Sequence, residues 1–218
     1  MGRHRVGTTL VVLAKEPIPG RVKTRLHPAL TLEQAAQVAA AAIDDTIEAV
    51  AGLPVAERVL AYDGIHPPRS ARGYRLLPQT DGPLDERLAA IFDAHAGRPL
   101  LLIGMDTPQV SVAALAPAFA AWPDDVDAWF GPAADGGWWA LGLRKARGDL
   151  IRGIPCSRDD TGARQLARLR DAGLTVGLLP TLTDVDEIDD AITVAGLIPE
   201  SRFAAAVNGA LELARVGA

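Results

Sequence analysis

The stretch "PLLLIGMDTPQVS", residues 99–111, sets four large apolar residues between Pro99 and Gly104 and then turns at once to polar chemistry at Asp106. An apolar run without alternation is the pattern of a strand covered on both faces, as in parallel sheets. "TLVVLA" (9–14) is a second run of this kind. "VAERVLAY" (55–62), "YRLLPQ" (74–79), "DAWF" (127–130), "WWALGL" (138–143) and "LTVGLLP" (174–180) read as further strands. Helical spacing fills the intervals. Residues 32–51 follow a capping-box pair, Thr31 and Gln34, and carry one apolar stripe through Leu32, Ala36, Ala39, Ile43, Ile47 and Val50. Further helices are expected from Leu84 to about His95, from Ser111 to Trp122, over 161–172, from the acidic turn Asp184–Asp190, and over 201–215.

Strand and helix thus alternate, which predicts a mostly parallel sheet with helices on both faces and ligands at the carboxyl ends of the strands. Polar clusters follow three of the strands, after Ala14, after Gly104 and around "TDVDEIDD" (183–190). The topology would bring them to one edge.

At 218 residues, with no low-complexity run to mark a linker, one domain over 1–218 is expected, its core at about 8–195. The 27 acidic and 22 basic residues leave a net charge of -5, so no nucleic-acid partner is expected, since that work needs a broad positive surface. The single cysteine, Cys156, permits neither an intrachain disulfide nor a thiolate-rich zinc site. The apolar stretch after Met1–Arg5 is too short for a secretory signal or a membrane span, so the expectation is cytoplasmic, with no membrane partner.

Against that acidic balance, "AKEPIPGRVKTRLHPAL" (14–30) crowds Arg21, Lys23 and Arg25 behind two prolines and Gly20. Gly20 permits a tight turn and close approach of backbone to a ligand. In an extended chain the three basic residues would share one side; in a helix Lys23 would oppose the other two. The cluster suits a di- or triphosphate, with pairing to the acidic clusters or a solvated face as the other readings. Neither a P-loop nor a G-x-G-x-x-G fingerprint occurs.

Asp106, two residues beyond its strand, reads either as a ligand of Mg²⁺ or Mn²⁺ or as a turn or helix cap ahead of Pro108. Asp184-Val185-Asp186, if extended, points both carboxylates one way and could share a cation with Asp106; an acidic first turn of a helix is the competing explanation, and the better one for Asp189 and Asp190. In "GPAADGGWW" (131–139), Trp138 and Trp139 would face opposite sides of a strand, one to the core and one free to line an acceptor pocket. No Ser-His-Asp arrangement emerges from the four histidines, and Ser157 lacks a G-x-S-x-G setting.

"AKEPIPGRVKTRLHPAL", "IGMDTPQVS", "FGPAADGGWWALGL" and "LPTLTDVDEIDDA" together resemble the uncharacterised DUF2064 family of glycosyltransferase-A-like proteins, related to the 2-phospho-lactate and, more distantly, molybdopterin guanylyltransferases. The resemblance covers roughly residues 8 to 195. It implies an α/β three-layer sandwich whose mixed, mostly parallel sheet binds a nucleoside triphosphate, GTP among the candidates, or a nucleotide-sugar. Carried over by motif, the nucleotide site would comprise Ala14, Pro19, Gly20, Arg21, Lys23 and Arg25, with Gln79 and Arg87 near the base. Asp106, Asp184 and Asp186 would hold Mg²⁺ or Mn²⁺. Lys23, Arg25 and Asp106 are the expected catalytic residues. A small anionic acceptor would sit beside Asp135, Gly136, Gly137, Trp138, Ser157 and Arg158.

Where family members usually show Q-G-x-G-D-L-G-x-R, this chain has "QTDGPLDER" (79–87). Two glycines and the central acid are lost. That loss motivates a reading as a nucleotide-binding protein without turnover, whereas three basic residues that suit a triphosphate and the absence of a D-x-D pair in "GMDTP" put nucleotidyl transfer first. Glycosyl transfer from a nucleotide-sugar and nucleotide binding without turnover are the alternatives, and a homodimer is left open.

Overall fold

A computed structural model describes residues 7–119, 122 and 124–216. Seven strands form one sheet: β1 (Thr9–Lys15), β2 (Glu57–Asp63), β3 (Arg75–Pro78), β4 (Leu100–Gly104), β5 (Ala128–Pro132), β6 (Trp138–Leu143) and β7 (Val176–Leu178). Their order is β3-β2-β1-β4-β6-β5-β7. Every pairing is parallel except those of β6, which runs antiparallel between β4 and β5. This is the mixed, mostly parallel three-layer arrangement that the alternation and the resemblance implied.

Period-two alternation divides the core. Leu10, Val12 and Ala14 of β1 face one layer with Ile43, Ile47 and Leu115, while Val11 faces the other with Leu88, Phe92 and Leu169. Helices α1 (Leu32–Ala49) and α3 (Val112–Phe119) therefore cover one face, and α2 (Leu84–Asp93) and α4 (Thr161–Asp171) the other. α1 starts at the Thr31–Gln34 capping box. It carries two buried stripes rather than one. Ala36, Ala39 and Ile43 meet the sheet, and Ala35, Val38 and Ala42 pack under α5 (Ile188–Leu197) and α6 (Arg202–Val216). Small alanine side chains hide the second stripe from a reading based on large apolar residues.

α3 is shorter than the spacing suggested, and residues 120 and 121 of the expected helix lie outside the described residues. Among the described residues no helix is long and apolar enough to cross a membrane.

The carboxyl ends of β1, β4, β5 and β7 and the amino end of antiparallel β6 open onto one edge. The three polar clusters meet there.

Candidate active site

The first loop is a turn that runs into a short 3₁₀ helix, Thr24–Leu26. Gly20 turns the chain at φ 78°, and Lys23 adopts the left-handed region at φ 47°. This geometry separates the three basic side chains. Lys23 is buried, with Nζ paired to Asp106 Oδ1 and donating to the Val185 carbonyl. Arg25 Nη1 meets Asp186 Oδ2 at 2.6 Å, both side chains largely exposed. Arg21 is exposed, and with Lys15, Lys23 and Arg25 it lines a cavity of about 240 Å³ that also reaches Asp106 and Asp186. Burial draws the Lys23 ammonium down, but the Asp106, Asp184 and Asp186 carboxylates overcome it and hold its pKa above the ordinary value.

Residues 182–186 are pinned on both sides. Leu182 N donates to Pro132 O and its carbonyl accepts from Ala134 N, while Val185 N donates to Asp106 O at 2.9 Å and Gln109 Nε2 to Thr183 O. Val185 is fully buried against Leu26 and α5, so its neighbours Asp184 and Asp186 are left on the open side, as the period-two reading required. Asp190 satisfies the amides of Asp186 and Glu187, which accounts for it as a cap. Ser111 likewise caps α3 through Ala114 N, so Asp106 is not needed in that role.

Carboxylate oxygens of Asp135, Asp184 and Asp186 lie within 4.8 Å of one another. Of the three ligands expected from the sequence, Asp184 and Asp186 belong to this group, Asp106 is instead ion-paired with Lys23 beside it, and Asp135, expected at the acceptor, completes it. Burial, with Asp106 and the other carboxylates adding repulsion against Lys23, pushes the Asp184 carboxyl up to about 8. A group of hard oxygens that resists collective ionisation suits a divalent cation such as Mg²⁺ or Mn²⁺.

Asp135 is aimed by its own loop. Its Oδ1 accepts from Gly137 N at 2.9 Å, and Gly136, at φ 89°, leaves no room for a Cβ, which would stand 2.0 Å from the Asp159 carbonyl. Trp139 is buried on one face with Nε1 donating to Pro180 O, and Trp138 packs toward the other face beside Cys156. Trp138, Leu84, Ser157 and Arg158 line a second cavity of about 560 Å³ that reaches Asp135 and Asp184. Ser157 takes the left-handed region at φ 58°. Arg158 is largely exposed, with Nε 3.3 Å from Asp160 Oδ1.

A family model for an uncharacterized protein conserved in bacteria, DUF2064, matches residues 46–158. The chain belongs to this family. A search among curated proteins gave no match. Among solved structures, a Desulfovibrio desulfuricans G20 protein provisionally assigned as a nucleotide-diphospho-sugar transferase superposes with a TM-score of 0.80 at 26% identity, covering 95% of this chain and 96% of that one. A nucleotidyl transferase from Methanothermobacter gives 0.57 at 18% identity over 89% and 98% of the two chains. The 2-C-methyl-D-erythritol 4-phosphate cytidylyltransferase of Thermus thermophilus gives 0.53 at 17%, over 88% and 98%. The last two establish the shared fold.

In this DUF2064 chain the "QTDGPLDER" segment is tied to strands β1 and β2 at its two ends. Gln79 Nε2 donates to the carbonyls of Ala14 and Ala61, both at 2.9 Å, and Arg87 holds Gln79 Oε1 and Asp63 together. Gln79 and Arg87 thus stand at the ends of β1 and β2, apart from the carboxylates. Lys15 and Leu84 are among the lining residues that escaped the sequence reading. Lys15 is the first residue past an apolar run at a strand's carboxyl end, a positional signal that was available; Leu84 reads only as an inward helix residue until its cavity is seen.

Proposed function

We propose that this protein is a metal-dependent nucleotidyltransferase that moves a nucleoside monophosphate group from a nucleoside triphosphate to a small phosphorylated or carboxylated acceptor, releasing pyrophosphate. One observation carries the reading. A basic cavity and a larger, carboxylate-bearing cavity adjoin at a common wall of Arg25, Asp106 and Asp186, with the Asp135, Asp184 and Asp186 oxygens beside it.

In this reading Lys15 and Arg21 bind the β- and γ-phosphates and stabilise the charge that departs with pyrophosphate, while Lys23, expected from the sequence to contact phosphate, is buried on Asp106 and the Val185 carbonyl and braces the loop behind them. Arg25 orients the phosphates at the boundary between the cavities. Asp135, Asp184 and Asp186 would hold Mg²⁺ or Mn²⁺, which when bound supplies charge neutralisation at the reacting phosphates. An oxygen of the acceptor's anionic group attacks the α-phosphorus, a P–O bond forms, and the bond from the α-phosphorus to the α,β-bridging oxygen breaks. That nucleophile carries no proton near pH 7, so the step needs positioning rather than a general base.

Glycosyl transfer from a nucleotide-sugar is the second reading, favoured by the assignment of the Desulfovibrio relative. The four basic side chains around the smaller cavity favour a triphosphate over a diphosphate. Incubating the protein and Mg²⁺ or Mn²⁺ with all nucleoside triphosphates and a panel of nucleotide-sugars, and following each by mass spectrometry, separates the readings. Consumption of a triphosphate supports nucleotidyl transfer. Consumption of a nucleotide-sugar alone, or binding with nothing consumed across a broad acceptor panel, rejects it.

A further inference from the structure

The larger cavity has two unlike walls. One is apolar, formed by Leu84, Leu88, Trp138 and the partly buried Cys156. The other presents carboxylates, with Asp159 and Glu187 exposed near Asp135. Among the described residues, the basic ones on its wall are Arg25 and Arg158, and each already faces a carboxylate, at 2.6 Å and 3.3 Å. The smaller cavity has the opposite balance, with Lys15, Arg21, Lys23 and Arg25 against two aspartates.

An acceptor with a second anionic group in its body would bring that charge, away from the cation at the reacting end, among carboxylates whose neighbouring arginines are already paired, a costly desolvation. Carboxylates instead accept hydrogen bonds from hydroxyls, and an indole face covers the C–H face of a saturated ring. We infer that the acceptor is anionic only at its reacting end and that its body is an uncharged polyol, a sugar-like ring seated on Trp138 with hydroxyls toward Asp159 and Glu187. The reacting anion lies at the boundary of the two cavities, toward Lys15 and Arg21 on the wall of the smaller one. This inference rests on the nucleotidyl-transfer reading and narrows its acceptor.

The test is calorimetric titration of the full chain in Mg²⁺, with the α,β-methylene analogues of the four ribonucleoside triphosphates present. The probes are glucose, galactose and mannose 1-phosphates, glycerol 3-phosphate, 3-phosphoglycerate and inorganic phosphate, with tryptophan emission recorded in parallel. At least one hexose phosphate should bind ten-fold or more tighter than 3-phosphoglycerate and inorganic phosphate and shift the emission. Trp138→Phe should remove the emission change, and Asp159→Asn, an exposed replacement, should weaken that hexose phosphate at least three-fold while leaving the nucleotide analogues within two-fold. Equal or tighter binding of 3-phosphoglycerate overturns the inference, as does no hexose phosphate binding while the analogues bind. If the analogues themselves fail to bind, the nucleotidyl-transfer reading falls and this inference with it.

Discussion

The Lys23 ammonium, with its side chain 5% exposed, is held between Asp106 Oδ1 and the carbonyl of Val185, so one lysine ties the loop after β1 to the loop after β4 and to the Asp-Val-Asp segment. Removing one partner of such a pair leaves the other charge uncompensated. Asp106 is 38% exposed, which lets solvent share the cost. Lys23→Ala should therefore lower stability by about 1–3 kcal/mol, below the range for fully buried pairs. Denaturant titration checks this, and an unchanged midpoint would show the pair to be energetically idle.

Asp184 sits among Asp106, Asp135 and Asp186, so its charge is tolerated only with compensation. Asp184→Asn should raise the melting temperature measured in chelator at neutral pH, because the folded protein has to keep this carboxyl protonated while the unfolded chain ionises it freely. The same variant should lose the stabilisation that millimolar Mg²⁺ or Mn²⁺ gives the unaltered protein through preferential binding to the folded state. Equal cation-induced shifts in both proteins would remove Asp184 from the ligand set.

Gly136→Ala tests whether the loop after β5 aims Asp135. The new Cβ would meet the Asp159 backbone at 2.0 Å, and φ is 89°, so neither rotation nor side-chain movement relieves the clash. Expected are a stability loss of about 2–4 kcal/mol and at least ten-fold weaker cation binding. Electron paramagnetic resonance of Mn²⁺ reads the second; wild-type affinity would place Asp135 outside the cation site.

Much of this edge was legible in the sequence. Unbroken apolar runs identified the strands, and period two placed Asp184 and Asp186 together, because Val185 has to be buried. The same rule parted Trp138 from Trp139. What could not be read is which residue of one loop meets which residue of another. Asp135 reaches the carboxylate pair because Ala133 and Leu182 bridge two segments far apart in the chain. Lys23 meets Asp106 because β1 and β4 are neighbours in the sheet. The reversal of β6 depends on which strands pair, and local spacing carries no record of it.

Arg152 fastens the 148–153 segment to α2 through Glu86 at 2.7 Å and Asp93 at 2.8 Å, and Gly148 N also donates to Asp93. The Arg152 hydrogen bond holds the Asp93 carboxyl below its usual range. A depressed carboxyl contributes stability above its unfolded-state pKa and loses it as pH falls through the folded value. Asp93→Asn should therefore cost up to about 1 kcal/mol at pH 7, the scale of an exposed pair, and the difference from the unaltered protein should fade on acidification below the ordinary Asp range. A difference independent of pH would trace the effect to packing.

The identity of the leaving group tests the account most directly. With hexose 1-phosphates as acceptors and each nucleoside triphosphate in turn, ³¹P nuclear magnetic resonance should show pyrophosphate accumulating one-for-one with triphosphate consumed, only when Mg²⁺ or Mn²⁺ is present and not in Asp184→Asn. Release of a nucleoside diphosphate from a nucleotide-sugar, with every triphosphate left intact, would contradict nucleotidyl transfer at this sheet edge.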